Sequence, residues 1–181
     1  MLHGLTITTQ RTAELPELTR QAIVDLCTAA HGHDFSLLFT FLGLDALHVL
    51  GYLDQALISH AVVTTRWLQP EHLPVLRTAF IDAVATAPAY QGKGLGSALM
   101  RHLATVIPDY TIACLQTDRV AFYTHVGWEL WRGELAGRAE HGLLPTPEQQ
   151  GVMILRLPQT PPLDLDSLLT IESQLPARIW E

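Results

Sequence analysis

Residues 89–98 read AYQGKGLGSA. Gly92, Gly94 and Gly96 alternate with other residues, and Lys93, the only lysine in the chain, sits among them. An apolar run leads in and an amphipathic run leads out. Such a turn can bind an anion. Backbone N–H groups at a helix start point outward with the helix's partial positive charge, and glycines let a phosphate approach the backbone. Lys93 adds a cation at the rim. Two common phosphate loops fail on spacing. A Walker loop needs Gly-Lys-Ser/Thr, and here Lys93 is followed by Gly94; a dinucleotide fingerprint needs G-x-G-x-x-G, and here the spacing is G-x-G-x-G. The pattern that does match is Q-x-x-G-x-G, at Gln91, Gly94 and Gly96.

The elements around the loop are legible from periodicity and breakers. Residues 4–9 have strand composition. Residues 15–30 read as an amphipathic helix with Leu15, Leu18, Ala22, Leu26 and Ala29 on one face and Pro16 in its first turn. After Gly32 a short apolar helix is expected over about Phe35 to Leu42. Residues 46–54 and 56–69 read as two strands of a hairpin turning through Asp54 and Gln55, and 76–88 as a longer strand ended by Pro88. A helix over 94–107 should bury Leu95, Leu99, His102, Leu103 and Val106. Residues 110–115 form a strand, then 118–127 a short helix capped by Asp118 and ended by Gly127, then 128–131 and 151–157 two more strands. Residues 133–150 read as a long loop over one edge, and 158–181 as a Pro-rich tail. The expected class is α/β (α+β): a mixed central sheet flanked by helices, in a single domain over 1–181.

Composition narrows the function. The chain has 181 residues and a formal charge of −7, with 18 acids against 11 bases. A basic stripe for nucleic acid is missing, so no nucleic-acid partner is expected. No apolar run is long enough to span a membrane, and the opening residues do not read as a secretory signal, so the expected location is cytoplasmic. Cys27 and Cys114 are far apart, which gives neither metal-ligand spacing nor a redox pair. Two buried or free thiols are expected, and no metal.

The stretch AVATAPAYQGKGLGSALMRHL resembles the GNAT superfamily of acetyl-CoA-dependent N-acetyltransferases. The resemblance implies acetyl-CoA as cofactor and a sheet in which the strand before the loop splays from its neighbour. On that resemblance Val84, Ala85 and Thr86 bond the pantetheine arm, and Gln91, Gly92, Lys93, Gly94, Leu95 and Gly96 hold the pyrophosphate. AFYTHVGWELW is similar to the family's second signature and makes Tyr123 its tyrosine, four residues before Gly127-Trp128. Several blocks from about residue 5 to the end, including LTRQAIVDLCTAAHGHDFS and LISHAVVTTRWL, further resemble the aminoglycoside 2'-N-acetyltransferases. That implies an aminoglycoside acceptor, antibiotic resistance or a related role, and a homodimer. Asp82 then falls on a carboxylate at the end of the splayed strand, Asp34 on a substrate-contacting aspartate, and Ala83 and the backbone near Gln116 on the acceptor site. The tail around Trp180 folds back to close that site. Where such relatives place acids, this chain has Phe39, Gln149 and Arg178, with Glu148 and Glu181 adjacent to two of them.

The implied mechanism is direct transfer without a covalent enzyme intermediate. The amine must lose a proton, and Asp82 is the candidate base, through a water. Val84 N–H is the candidate oxyanion donor, and Tyr123 the acid for the departing thiolate. His60, mid-strand among apolar residues, reads as a satisfied core histidine. His125 points to another helix face than Tyr123, and Cys114 has no nearby base in sequence. Two other readings remain: the same reaction on another small amine or amino sugar, and a CoA-binding scaffold without turnover.

Overall fold

A computed structural model describes residues 4–172 and residue 180. In chain order these form β1 (Leu5–Arg11), α1 (Glu17–His31), α2 (Leu38–Phe41), β2 (Leu47–Leu53), β3 (Ala56–Pro70), β4 (Leu76–Thr86), α3 (Leu95–Thr105), β5 (Ile112–Gln116), α4 (Val120–His125), β6 (Glu129–Leu130), β7 (Leu135–Ala139), β8 (Gly142–Pro145), β9 (Val152–Arg156) and β10 (Leu169–Glu172). Two compact units share the long strands. The first comprises Met1–Thr64 and Ile81–Val106, the second Thr65–Phe80 and Ile107–Glu181.

In the first unit β1, β2 and β3 form an antiparallel ribbon. The hairpin between β2 and β3 turns through Asp54 and Gln55 as expected, with φ of +48° and +66°, the signature of a tight hairpin turn. Its register then shifts between Gly51 and Tyr52: Tyr52 faces Leu57, but Gly51 faces Ser59. The core gathers Leu15, Ile23, Leu26, Cys27, Leu50, Val62, Ala83 and Ala85. Helix α1 therefore buries Ile23, Leu26 and Cys27. The expected stripe is rotated, because Leu18 is 86% exposed and Ala29 is exposed too. Pro16 sits just before the helix as its N-cap, and Gly32 ends it in the left-handed region. In α3 the buried face is Leu95, Leu99, Met100 and Leu103, with Met100 where His102 was expected.

In the second unit the strand order is β6-β9-β5-β4-β3-β10-β7-β8. β4 pairs β5 in parallel and β10 pairs β7 in parallel; β5–β9, β6–β9, β10–β3 and β7–β8 are antiparallel. The core here gathers Leu68, Leu76, Phe80, Ile112, Cys114, Trp131, Ile154, Leu169, Ile171 and Trp180. Three expectations are corrected. Residues 133–150 contain the hairpin β7–β8 as well as loop, and the tail supplies β10, which inserts between β3 and β7. Asp118 does not cap α4: the Thr117 hydroxyl accepts from the Arg119 N–H at 2.9 Å, and the helix starts at Val120. Both cysteines are free and buried.

Candidate active site

Strand β4 carries the first group of expected residues. Its ladder with β5 has rungs at Thr78–Ile112, Ala79–Ala113 and Phe80–Cys114. Beyond them β5 continues on β9 as far as Gln116, while β4 continues without a β5 partner, among the described residues, from Ile81 to Thr86. Asp82 opens that stretch and is exposed; Val84 and Thr86 are half-buried, and Ala83 and Ala85 are buried. Ala83 breaks the strand. Its φ is +46°, a left-handed conformation that costs a residue with a Cβ. Its N–H donates to Asp82 Oδ1 at 2.6 Å, and its carbonyl accepts from His60 Nδ1 at 2.9 Å, so both of its polar groups are engaged inside the unit. Cys27 lies behind, its thiol pushed up to about 12 by burial and by the Asp82 charge; it is a proton-bearing packing group and not a nucleophile.

The glycine loop follows directly. The Gln91 side chain donates to the Thr86 carbonyl at 3.0 Å and folds the loop back onto the end of β4. Gly92 and Gly94 have φ of +73° and +81°, and a Cβ on either would meet nothing within 4 Å, so the backbone is presented to open space. Gly94 is the N-cap of α3, no side chain caps that end, and no acid sits in the first turn. The leading N–H groups of an 11-residue helix are thus left for an anion. Gly96 is half-buried, and the Leu95 side chain is core, which leaves its backbone for the loop. Lys93 is exposed, with Nζ 5.2 Å from the centre of the Tyr90 ring. Every feature of this segment fits a pyrophosphate.

Asp34 lies in the same unit, after α1. It is fully exposed, and its carboxyl is held below the usual range by the Ser36 N–H and then by the Ser36 hydroxyl, both at 2.8 Å. Phe39 is not an open acceptor-site position: its ring stacks on His48 at 5.6 Å and carries the Arg20 guanidinium 5.5 Å above it.

The second unit holds the remaining residues. Tyr123 is buried on α4, edge-on to Trp128 at 5.9 Å and to Phe122 at 4.9 Å. Its carbonyl accepts the Val126 and Trp128 N–H groups and so ends the helix. Gln116 is exposed at the end of β5 and donates to the Gln150 carbonyl at 3.1 Å. Glu148 is exposed and Gln149 half-buried. Trp180 is a core side chain, 1% exposed, whose indole N–H donates to Thr146 Oγ1 at 3.1 Å. Arg178 and Glu181 lie outside the described residues. Beside Gln116, Gly151 has φ +73°, and a Cβ there would overlap the Thr117 carbonyl oxygen. Gly151→Ala should therefore lower stability by about 2 kcal/mol and Tm by about 4–8 °C, read by thermal melting. An unchanged Tm would mean that this turn yields freely.

The model of the acetyltransferase (GNAT) family matches residues 18–128, a span that includes β4, the glycine loop, α3 and α4. The chain belongs to the GNAT family. It is an acetyltransferase, the family uses acetyl-CoA, and the mixed sheet with a splayed strand pair is the family's fold. It is 28% identical over 164 residues to the aminoglycoside 2'-N-acetyltransferase of Mycolicibacterium fortuitum, covering 88% of this chain and 84% of that one. Among solved structures it is similar to the GNAT family N-acetyltransferase YhbS from Escherichia coli in complex with CoA, with TM-score 0.63, 16% identity, and 93% and 90% of the two chains covered. It is also similar to Eis1 from Mycobacterium abscessus, with TM-score 0.59 and 16% identity; there 72% of this chain matches, and it spans only 33% of that protein. Among the described residues no helix is long and apolar enough to cross a membrane, and no group of three or more metal-ligating side chains could hold a metal ion.

Sequence reasoning passed over His48, the partner of His60, and Thr12, the partner of His48. Their signal was weak, since two histidines 12 residues apart on neighbouring strands meet only if the hairpin register brings them to one face.

Proposed function

We propose that this GNAT enzyme acetylates an amine of an aminoglycoside, the 2'-amino group, by direct transfer within a ternary complex. The observation that carries the reading is the aminoglycoside 2'-N-acetyltransferase relative, aligned over most of both chains. The acidic balance of the chain and the exposed carboxylates Asp34 and Glu148 suit a polycationic acceptor. In this reading the backbone N–H groups from Gln91 to Gly96 and the Lys93 ammonium hold the pyrophosphate, and Val84, Ala85 and Thr86 bond the pantetheine arm. Acetyl-CoA supplies the acetyl group as a reactive thioester. Asp82 takes the proton that the amine nitrogen sheds as its bond to the acetyl carbon forms, relayed by a water. Val84 N–H donates to the acetyl oxygen, and the Tyr123 hydroxyl gives its proton to the sulfur as the C–S bond breaks. Glu148, Gln149, Gln116 and Glu181 are assigned to the acceptor; Trp180, buried in the core with its indole N–H on Thr146, is not, and serves as packing.

One observation favours a second reading, in which another small amine or amino sugar is the acceptor. Phe39 stands where an acid would face a polycation, and it packs on His48 instead. The test is thiol release from acetyl-CoA with a panel of amines that includes aminoglycosides with and without a 2'-amino group. Release confined to 2'-amino aminoglycosides is the expected result. Release with other amines only would move the assignment to the second reading, and no release with any amine would end both.

Lys93 tests the cofactor half separately. Lys93→Ala removes an exposed charge worth about 1 kcal/mol, so the Kd for CoA should rise roughly fivefold while kcat stays within about twofold. A large fall in kcat at saturating acetyl-CoA would make Lys93 more than a cradle residue.

A further inference from the structure

In the first unit, a connected run of buried polar atoms ends at Ala83, beside the candidate base. Thr12 Oγ1 lies 2.9 Å from His48 Nε2, His48 Nδ1 lies 3.0 Å from His60 Nε2, and His60 Nδ1 lies 2.9 Å from the Ala83 carbonyl oxygen. Thr12 is 2% exposed, and His48 and His60 are both 0% exposed. Nothing in the acetyl-transfer chemistry requires these groups, yet three polar side chains are kept in a dry interior.

The direction of every bond in the run is forced. A carbonyl only accepts, so His60 Nδ1 carries the proton. Burial first, and the neighbouring His48 second, hold His60 neutral, pushed down to about 3; its Nε2 is therefore an acceptor. His48 must then donate from Nδ1. It is also neutral, pushed down to about 4 by burial and by Arg20, so its Nε2 accepts and the Thr12 hydroxyl donates. Each ring has one permitted tautomer: the Ala83 carbonyl sets that of His60, and the bare His60 Nε2 sets that of His48, whose Nδ1–H then holds the His60 ring from its far side. Phe39 stacks over His48, and Arg20 donates to the Thr12 and Leu15 carbonyls, closing the run from that side. The Cys27 thiol gives the Ala83 carbonyl a second, weaker donor at 3.8 Å.

The run ends on the one residue of β4 with a left-handed backbone. Ala83 is not glycine, so its φ of +46° persists only because its surroundings hold it, here through bonds to both of its polar groups. Without the His60 donor, a carbonyl in an apolar core would keep only the weak Cys27 thiol, and the peptide would rotate to find a stronger partner.

We propose that His60, locked by His48, is a positioning residue for acetyl transfer: it pins the Ala83 carbonyl and so fixes the direction in which the Asp82 carboxylate and the Val84 N–H leave the strand. The inference rests on the role proposed for Asp82 and Val84.

The test has two arms. In the wild-type protein, imidazole 15N–1H correlation spectra should show both rings protonated at Nδ1 and bare at Nε2 at neutral pH. A proton on Nε2 of either ring would overturn the proposal without reference to any substrate. In the second arm, His60→Leu should lower kcat by about 10- to 100-fold, the scale of a small misplacement of a reacting group, with the calorimetric Kd for CoA within about twofold. His60→Asn places an amide N–H where Nδ1–H was and should return kcat to within about threefold of wild type. Equal losses in the two variants, or none in either, would overturn the proposal. Should His60→Leu not fold, His48→Leu leaves the Ala83 donor in place and removes only the lock. It should keep the proton on His60 Nδ1, which still faces the Ala83 carbonyl, and lower kcat several-fold because the ring is no longer held at Nε2; an unchanged kcat would count against the lock. If no amine is acetylated, the functional reading fails, and the tautomer arm still decides the dyad.

Discussion

Asp82→Asn should lower kcat by about 100-fold or more, on the scale of losing a general base. The substitution isolates charge from architecture. In the native chain Asp82 Oδ1 accepts the Ala83 N–H at 2.6 Å, and the asparagine oxygen can accept the same bond. The left-handed turn at Ala83 therefore keeps its N-terminal anchor, and the His60 bond to the carbonyl is untouched. What disappears is the ability to take a proton. Steady-state kinetics with whichever amine gives thiol release reads the effect, and a melting curve close to wild type shows that the fold was spared. A kcat within threefold of wild type would remove Asp82 from the chemistry and leave it as a backbone cap.

Tyr123→Phe should lower kcat by a similar factor of about 100, while the KM for acetyl-CoA changes by less than about threefold. Tyr123 does two separable things. Its ring packs edge-on against Trp128 and Phe122, and its carbonyl ends α4 by accepting from Val126 and Trp128; phenylalanine preserves all of this. Only the hydroxyl is lost. A drop in kcat without a drop in stability assigns the loss to proton donation. Unchanged turnover would make Tyr123 a packing residue, and the departing sulfur would then need no acid from this side chain.

The parts of this molecule that local chemistry determines were legible in the sequence. The Asp54-Gln55 turn, the Pro88 stop, the glycine helix entry and the end of α4 at Gly127 each follow from backbone preferences within a few residues. What was missed depends on distant partners. β7 is a Gly- and Ala-containing segment with little strand preference of its own, and it pairs because β10 and β8 lie on either side of it. The face of α1 was misphased because Leu18 is apolar but exposed, so hydrophobicity alone pointed the wrong way. Among the candidate site residues, the glycine helix entry and the place of Asp82 on an exposed face of β4 could be read, but the histidine pair could not. Counting back from a two-residue turn puts His48 opposite Ala61 and His60 opposite Val49, on opposite faces of the ribbon. The register shift at Gly51/Tyr52 moves the pairing by one, to His48–Val62 and Leu50–His60, and brings both rings to the same face. One extra residue in the ladder creates the dyad, and no local signal announces it.

The insertion of β10 between β3 and β7 has a consequence for synthesis. In the second unit, Leu169–Ile171 must reach Leu68–Pro70, a loop of about 100 residues, before β7 and β8 gain a place in the sheet. A ribosome releasing this chain will have delivered the glycine loop and the histidine pair long before that strand. Until then one edge of β3 stands open, with unpaired backbone groups near Trp67, itself 44% exposed even in the finished fold. The nascent protein is thus most vulnerable to wrong pairing in the interval before β10 arrives, and covering the open edge of β3 during that interval is where a chaperone would help it most.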